Sequence, residues 1–183
     1  MEIIKIKTYT GCTDDYFENI VRYPSNEDSV AVRGYGVDCS DPANAKRQFE
    51  SIAKYYGNEE KNPFIQYILS FSRETAPDAE STMSITERVI EPMKSNHMLL
   101  IGEHEKHRAD SYYHSHIYAS TTDIKNGKML HSTNKTNFEI AQRLADTTQQ
   151  ETLLVIEKTD HSNDSNNTSK PYEKMFKPRK IKE

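Results

Sequence analysis

Four of the seven histidines, His104, His107, His114 and His116, fall within thirteen residues. The stretches that hold them, MLLIGEH (98–104) and YYHSHIYAS (112–120), have the apolar, β-branched and aromatic make-up of strands. Residues two apart on a strand share a face, so His114 and His116 set two imidazoles side by side. A preceding strand that ends at His104 brings a third from the neighbouring rung, with His107 as its rival for that place. Three neutral imidazoles leave coordination positions open, which suits a divalent cation that must also hold a substrate oxygen. Glu103, Glu105 and Asp110 lie near enough in sequence to orient imidazole N–H groups. Two competing readings of the same residues are the polar face of an edge strand and a purely structural metal.

The remaining elements must bring these strands together. IIKIKTY (3–9) alternates apolar and polar residues as a half-buried strand does. Thr13, Asp14 and Asp15 supply helix-start chemistry for YFENIVRY, which Pro24 ends. Ala45, Phe49, Ile52, Ala53 and Tyr56 recur at helical spacing behind Ser40 and Asp41, and Gly57 marks the stop. FIQYILSF (64–71) reads as a strand. Ser84 and Glu87 have capping-box spacing ahead of Ile85, Val89, Ile90 and Met93, so a helix is expected to open there. Asn126-Gly127 reads as a turn into KMLHS. Thr136 and Glu139 repeat the capping-box spacing before a helix with Phe138, Ala141, Leu144 and Ala145 inward, followed by the strand TLLVIEK. Strands interleaved with four helices predict an α+β fold, a two-layer sandwich whose central, mainly antiparallel sheet is covered by helices.

A chain of 183 residues fits a single domain. Residues 159–170 hold no strongly apolar residue, so the expected division is a domain over 1–158 and a polar linker with a basic segment over 159–183. No stretch approaches the roughly 18 apolar residues of a membrane span, and MEIIKIKTYTG lacks a secretory core, so a cytoplasmic protein away from membranes is expected. Cys12 and Cys39 are too few for a disulfide framework and are read as reduced thiols. The net charge of −4 argues against a partner held by many phosphate contacts. That charge is uneven: the last fourteen residues carry +4, leaving −8 on the rest. A basic end of this kind is first of all a solvated terminus.

Five segments in order across most of residues 16–157 resemble the nuclease domain of DNA relaxases, the mobilisation nucleases with paired metal-binding histidines. They are GVDCSDPANAKRQF, ILSFSRET, SNHMLLIGEH, HSHIYASTTDIKNGKML and AQRLADTTQQETLLVIE. The chain departs from the family pattern in two places: Gln66 stands where a histidine is common, and Ser115 separates the paired histidines where the wider class has a bulky apolar residue.

The resemblance implies His104, His114 and His116 as metal ligands, with His107 as the alternative to His104. It implies Tyr23, followed by Asn26, as the nucleophile, with Tyr16 as the rival on the same helix face. Magnesium or manganese is the implied ion, although imidazole ligands also suit zinc, nickel or cobalt. The implied activity is metal-dependent nicking and rejoining of one DNA strand through a 5′-phosphotyrosyl intermediate, which starts conjugative transfer or mobilisation of a plasmid or transposon. Its partners would be single-stranded or hairpin DNA at a transfer origin and accessory relaxosome proteins, with Tyr112, Tyr113 and Tyr118 as stacking aromatics. Relaxases commonly continue into further domains, so these residues are read as a front portion. A rolling-circle replication initiator of the same class and a non-catalytic DNA-binding relative are the alternatives.

Overall fold

The computed structural model describes residues 1–10, 18, 19, 22, 23, 29–105, 113–161 and 167–180. Tyr16, Asn26, His107, Asp110, Tyr112, Cys12 and most of the expected first helix lie outside the described residues.

The described elements are β1 (Glu2–Thr10), β2 (Ser29–Tyr35), α1 (Pro42–Tyr55), β3 (Phe64–Ser70), α2 (Ala79–Ile90), β4 (Leu99–Glu105), β5 (Tyr113–Ser120), α3 (Asn134–Thr148), β6 (Thr152–Asp160), β7 (Asn167–Thr168) and β8 (Tyr172–Phe176). Among the described residues they form an α+β fold on one eight-stranded mixed sheet. Its order is β2-β4-β5-β3-β1-β6-β7, with β8 also on β6. Among the described strands, only the β1–β6 pairing is parallel. The strands β7 and β8 lie inside the stretch read from sequence as linker and basic segment. All of β8 but Phe176 is exposed, so it carries no apolar alternation for a reader to find.

Alternation along the strands sorts side chains onto two faces. On one face Ile4, Ile6, Ile65, Leu69, Leu99, Ile101, Ile117, Leu154 and Ile156 pack with Val89 and Ile90 of α2 and with Ala141, Leu144 and Ala145 of α3. On the other, Tyr9, Phe64, Leu100 and Tyr118 pack with Ala45 and Phe49 of α1. The sheet therefore has helix on both faces at its Leu100–Tyr118 end, one layer more than the two-layer expectation. No described helix is long and apolar enough to cross a membrane.

Two helix starts differ from the sequence expectation. Helix α2 opens at Asp78, whose side chain accepts from the Ser81 amide, so Ser84 lies inside the helix rather than capping it. Helix α3 opens at Thr133, whose reciprocal bonds with Thr136 make the capping box three residues early. In both cases a stronger cap upstream takes the end, and the turn it nucleates absorbs the later Ser or Thr. Helix α1 starts at Asp41 and Gly57 follows it with φ 69°, both as the sequence suggests.

Candidate active site

The antiparallel register of β4 on β5 sets His104 opposite His114 and Gly102 opposite His116. All three histidines therefore stand on the face away from α2 and α3. Their ring centroids are 5.5 Å apart for His104 and His114, 5.1 Å for His104 and His116, and 5.0 Å for His114 and His116. His104 and His116 are buried and His114 is half-buried. The ring of Tyr23 stacks on His104 at 5.0 Å and meets His116 edge-on at 4.7 Å. Tyr23 itself is 42% exposed, so its ring covers the imidazoles from the solvent side. The structure thus gathers Tyr23, His104, His114 and His116 at one point, while their rivals Tyr16 and His107 lie outside the described residues.

Burial first, then His114, His104 and Lys7, push the His116 imidazole down to about 2, so this ring is neutral across the ordinary pH range. Its Nδ1 lies 3.2 Å from Nε2 of Gln66, which in turn is 2.7 Å from the Tyr118 hydroxyl. The Tyr9 hydroxyl is 2.5 Å from Oε1 of the same amide. His104 Nε2 lies 3.4 Å from the Ser29 hydroxyl, its partner across β2 and β4. On the same face Lys5 and Lys7 share the single carboxylate of Glu157, at 2.9 and 3.6 Å.

Three imidazoles on one ion, with metal–nitrogen bonds about 2.1 Å long, stand with their ring centres about 5 Å apart. The spacing of these three rings fits that requirement, and neutral rings are the form that binds metal. Their donor atoms are not converged: among the described residues, no three His, Cys, Asp or Glu side chains form a ready metal-holding group.

Several sequence expectations about the neighbourhood are corrected by the alternation of the strands. Glu103 does not orient an imidazole. It lies on the opposite face, fully buried, where Oε2 accepts from Ser115 at 2.6 Å and Ser115 meets Thr86 of α2 at 2.5 Å. Burial pushes its carboxyl up to about 7, against the lowering effect of the Ser115 and Thr86 hydroxyls. This polar group also accounts for a serine between the paired histidines, because an apolar side chain there would remove one of the two hydroxyls that bond Glu103. Tyr113 shares the face of Ser115, away from the histidines, and Tyr118 is buried against Phe64, so neither can stack a base beside the imidazoles. Sequence reading missed Tyr9 and Lys7 altogether and noted Gln66 only as a departure. The partners of Tyr9, Lys7 and Gln66 (Gln66, Glu157 and His116) are 57, 150 and 50 residues away in sequence, with no local signal to link them.

The model of the MobA/VirD2-like relaxase family, nuclease domain, matches residues 16–154. The chain belongs to this family, and a relaxase nuclease domain is a DNA-nicking enzyme. No curated protein matches the chain. Among solved structures, one described as the molecular basis of vancomycin resistance transfer in Staphylococcus aureus is 13% identical. It covers 68% of this chain and 70% of its own, with a TM-score of 0.47. Another, the conjugative relaxase TrwC in complex with oriT DNA in a metal-free structure, is 15% identical, with 81% and 71% covered and a TM-score of 0.39. At TM-scores below 0.5, neither likeness adds to the family assignment.

Proposed function

We propose that this domain nicks single-stranded DNA at a transfer origin by attack of the Tyr23 hydroxyl on a phosphodiester, and rejoins the strand by the reverse step. The new bond is Tyr23 Oη to phosphorus and the bond broken is phosphorus to the 3′ oxygen. The phenolic proton is lost and the departing 3′ oxygen gains one, which leaves a 3′-hydroxyl and a 5′-phosphotyrosyl end. A second 3′-hydroxyl attacking the phosphotyrosyl bond restores the diester and frees Tyr23. The observation that carries this reading is the Tyr23 ring lying against both His104 and His116 at 5.0 and 4.7 Å.

A phenol of ordinary pKa about 10 is a weak nucleophile at neutral pH, and a diester's negative charge opposes its approach. His104, His114 and His116 would hold a divalent cation, by family resemblance magnesium or manganese. When bound, such an ion polarises the non-bridging phosphate oxygens and offsets charge that grows in the transition state. The protein's own part is to position and to exclude water. The β4–β5 register fixes the three rings, Tyr23 covers them, and the two lysines sharing Glu157 leave one positive charge on the face where the phosphate would lie. A local positive face allows phosphate contact despite the overall −4.

The test is a labelled single-stranded oligonucleotide spanning the neighbouring transfer origin, incubated with the protein and manganese and run on a denaturing gel. The expected product is a protein–DNA adduct that is absent without metal and absent in Tyr23→Phe. An adduct that forms unchanged in Tyr23→Phe and vanishes in Tyr16→Phe would reverse the choice of nucleophile. No cleavage by protein with bound metal would point to a binding relative.

A further inference from the structure

The amide of Gln66 is 5% exposed and lies at the centre of three polar contacts. One of its two terminal atoms meets only the Tyr9 hydroxyl, at 2.5 Å; the other meets both His116 Nδ1, at 3.2 Å, and the Tyr118 hydroxyl, at 2.7 Å. Oxygen and nitrogen of an amide occupy the same positions after a half turn, so the contact pattern and the chemistry of the partners must decide between them. With nitrogen toward His116, Gln66 donates to a bare Nδ1, and the ring's proton must sit on Nε2. With oxygen toward His116, Gln66 accepts from Nδ1–H and from the Tyr118 hydroxyl, and its nitrogen donates to Tyr9. Tyrosine hydroxyls rotate to suit either arrangement, whereas the imidazole does not.

We propose that Gln66 is a positioning residue that turns its amide oxygen to His116, fixes the ring in its Nδ1–H form and so leaves the Nε2 lone pair for a divalent cation. The inference rests on the reading of His116 as a metal ligand. Nδ1 is turned toward Gln66, so Nε2 is the ring's remaining donor. A cation can use it only when the proton is on Nδ1, and a nitrogen of Gln66 facing that proton would set two donors against each other. The chain supports this oxygen from behind. In β3 Gln66 pairs with Tyr118 and reaches His116 on the adjacent diagonal, a distance a long side chain spans. Tyr9 is held in turn by Phe64, at 5.6 Å, and by stacking on His161, at 6.0 Å.

The test uses the whole chain and zinc, a diamagnetic imidazole-seeking probe, with affinity measured by calorimetry and the proton located by long-range 1H–15N NMR. In zinc-loaded protein the His116 proton is expected on Nδ1. Gln66→Leu is expected to weaken zinc binding about 10- to 100-fold, the usual cost of removing an outer partner of a ligating histidine. Gln66→Glu keeps an acceptor at that point and is expected to recover most of the affinity. Equal zinc affinity in wild type and Q66L, or a His116 proton found on Nε2 in the loaded protein, overturns the proposal while leaving the three-histidine site standing. A wild type that binds no zinc contradicts both. If Q66L does not fold, the proton position in zinc-loaded wild type decides alone.

Discussion

The two faces of the β4–β5 pair carry polar side chains at neighbouring positions and use them in opposite ways. On one face His104, His114 and His116 gather under an exposed tyrosine; on the other Glu103, Ser115 and Thr86 close on one another beneath α2. The first set is the one proposed to meet a ligand, and the second spends its hydrogen bonds inside the fold. Residues one position apart, such as His104 and Glu103 or Ser115 and His116, thus have unrelated jobs, because a one-residue step on a strand exchanges faces.

Substitutions that touch one face at a time should separate the two jobs. The largest effect is expected from His114→Ala, the most accessible ring of the three. Covalent adduct formation should fall by about 100-fold or more while stability moves by less than about 1 kcal/mol. Gel quantification beside urea unfolding checks both. Equal losses in both measurements would mean that the imidazole face is structural.

Next in size is the pH dependence that Glu103 imposes on metal-free protein. Its folded value of about 7 lies above the 4.5 of a free carboxyl. The folded state therefore holds a proton that the unfolded state has lost over that window. Glu103's own contribution should be fully present below about 4.5, fall as pH rises toward 7, and level off above it, by on the order of 3 kcal/mol. The depressed His116 imidazole works in the opposite sense and stabilises increasingly as pH rises toward 6.5. Glu103→Gln should remove the Glu103 contribution, so the wild-type advantage in urea midpoint over the variant should shrink as pH rises from 4.5 to 8. A difference between the wild-type and Glu103→Gln midpoints that stays constant over the same window would contradict the assignment.

A smaller change is expected from Ser115→Val, which removes the Ser115 bonds to Glu103 and Thr86 and leaves Thr86 as the hydroxyl partner of Glu103. The cost should be about 1–3 kcal/mol of stability, with nicking per folded molecule nearly unchanged. A hundredfold activity loss there, with stability intact, would show that the two faces are not independent.

The same alternation explains what could be read from the sequence. That His114 and His116 share a face follows from their spacing, and that His104 stands beside them follows from the end of the preceding strand, where the family resemblance favours it over His107. The inward faces of α1 and α3 follow from helical period, with Ala45 and Phe49 in one and Ala141, Leu144 and Ala145 in the other. Glu103 was misread because closeness in sequence was taken for closeness to an imidazole, against the two-residue period of its own strand. Ser84 was misread because Asp78, six residues earlier, holds the cap that fixes the helix end. Gln66 lies on β3 and Tyr9 on β1, and only the pairing of β1, β3 and β5 sets Gln66 beside His116 and Tyr9 beside Gln66. The edge strand β8 buries little beyond Phe176 and so leaves no pattern to recognise.

The central claim is that the hydroxyl of Tyr23, whose ring lies against His104 and His116, takes the phosphate. It is tested most directly by digesting the covalent adduct with nuclease and protease and locating the nucleotide-bearing residue by mass spectrometry. The account predicts a nucleotide on the peptide containing Tyr23 and on that residue. A nucleotide on Tyr16, or on any side chain away from His104, His114 and His116, would contradict it.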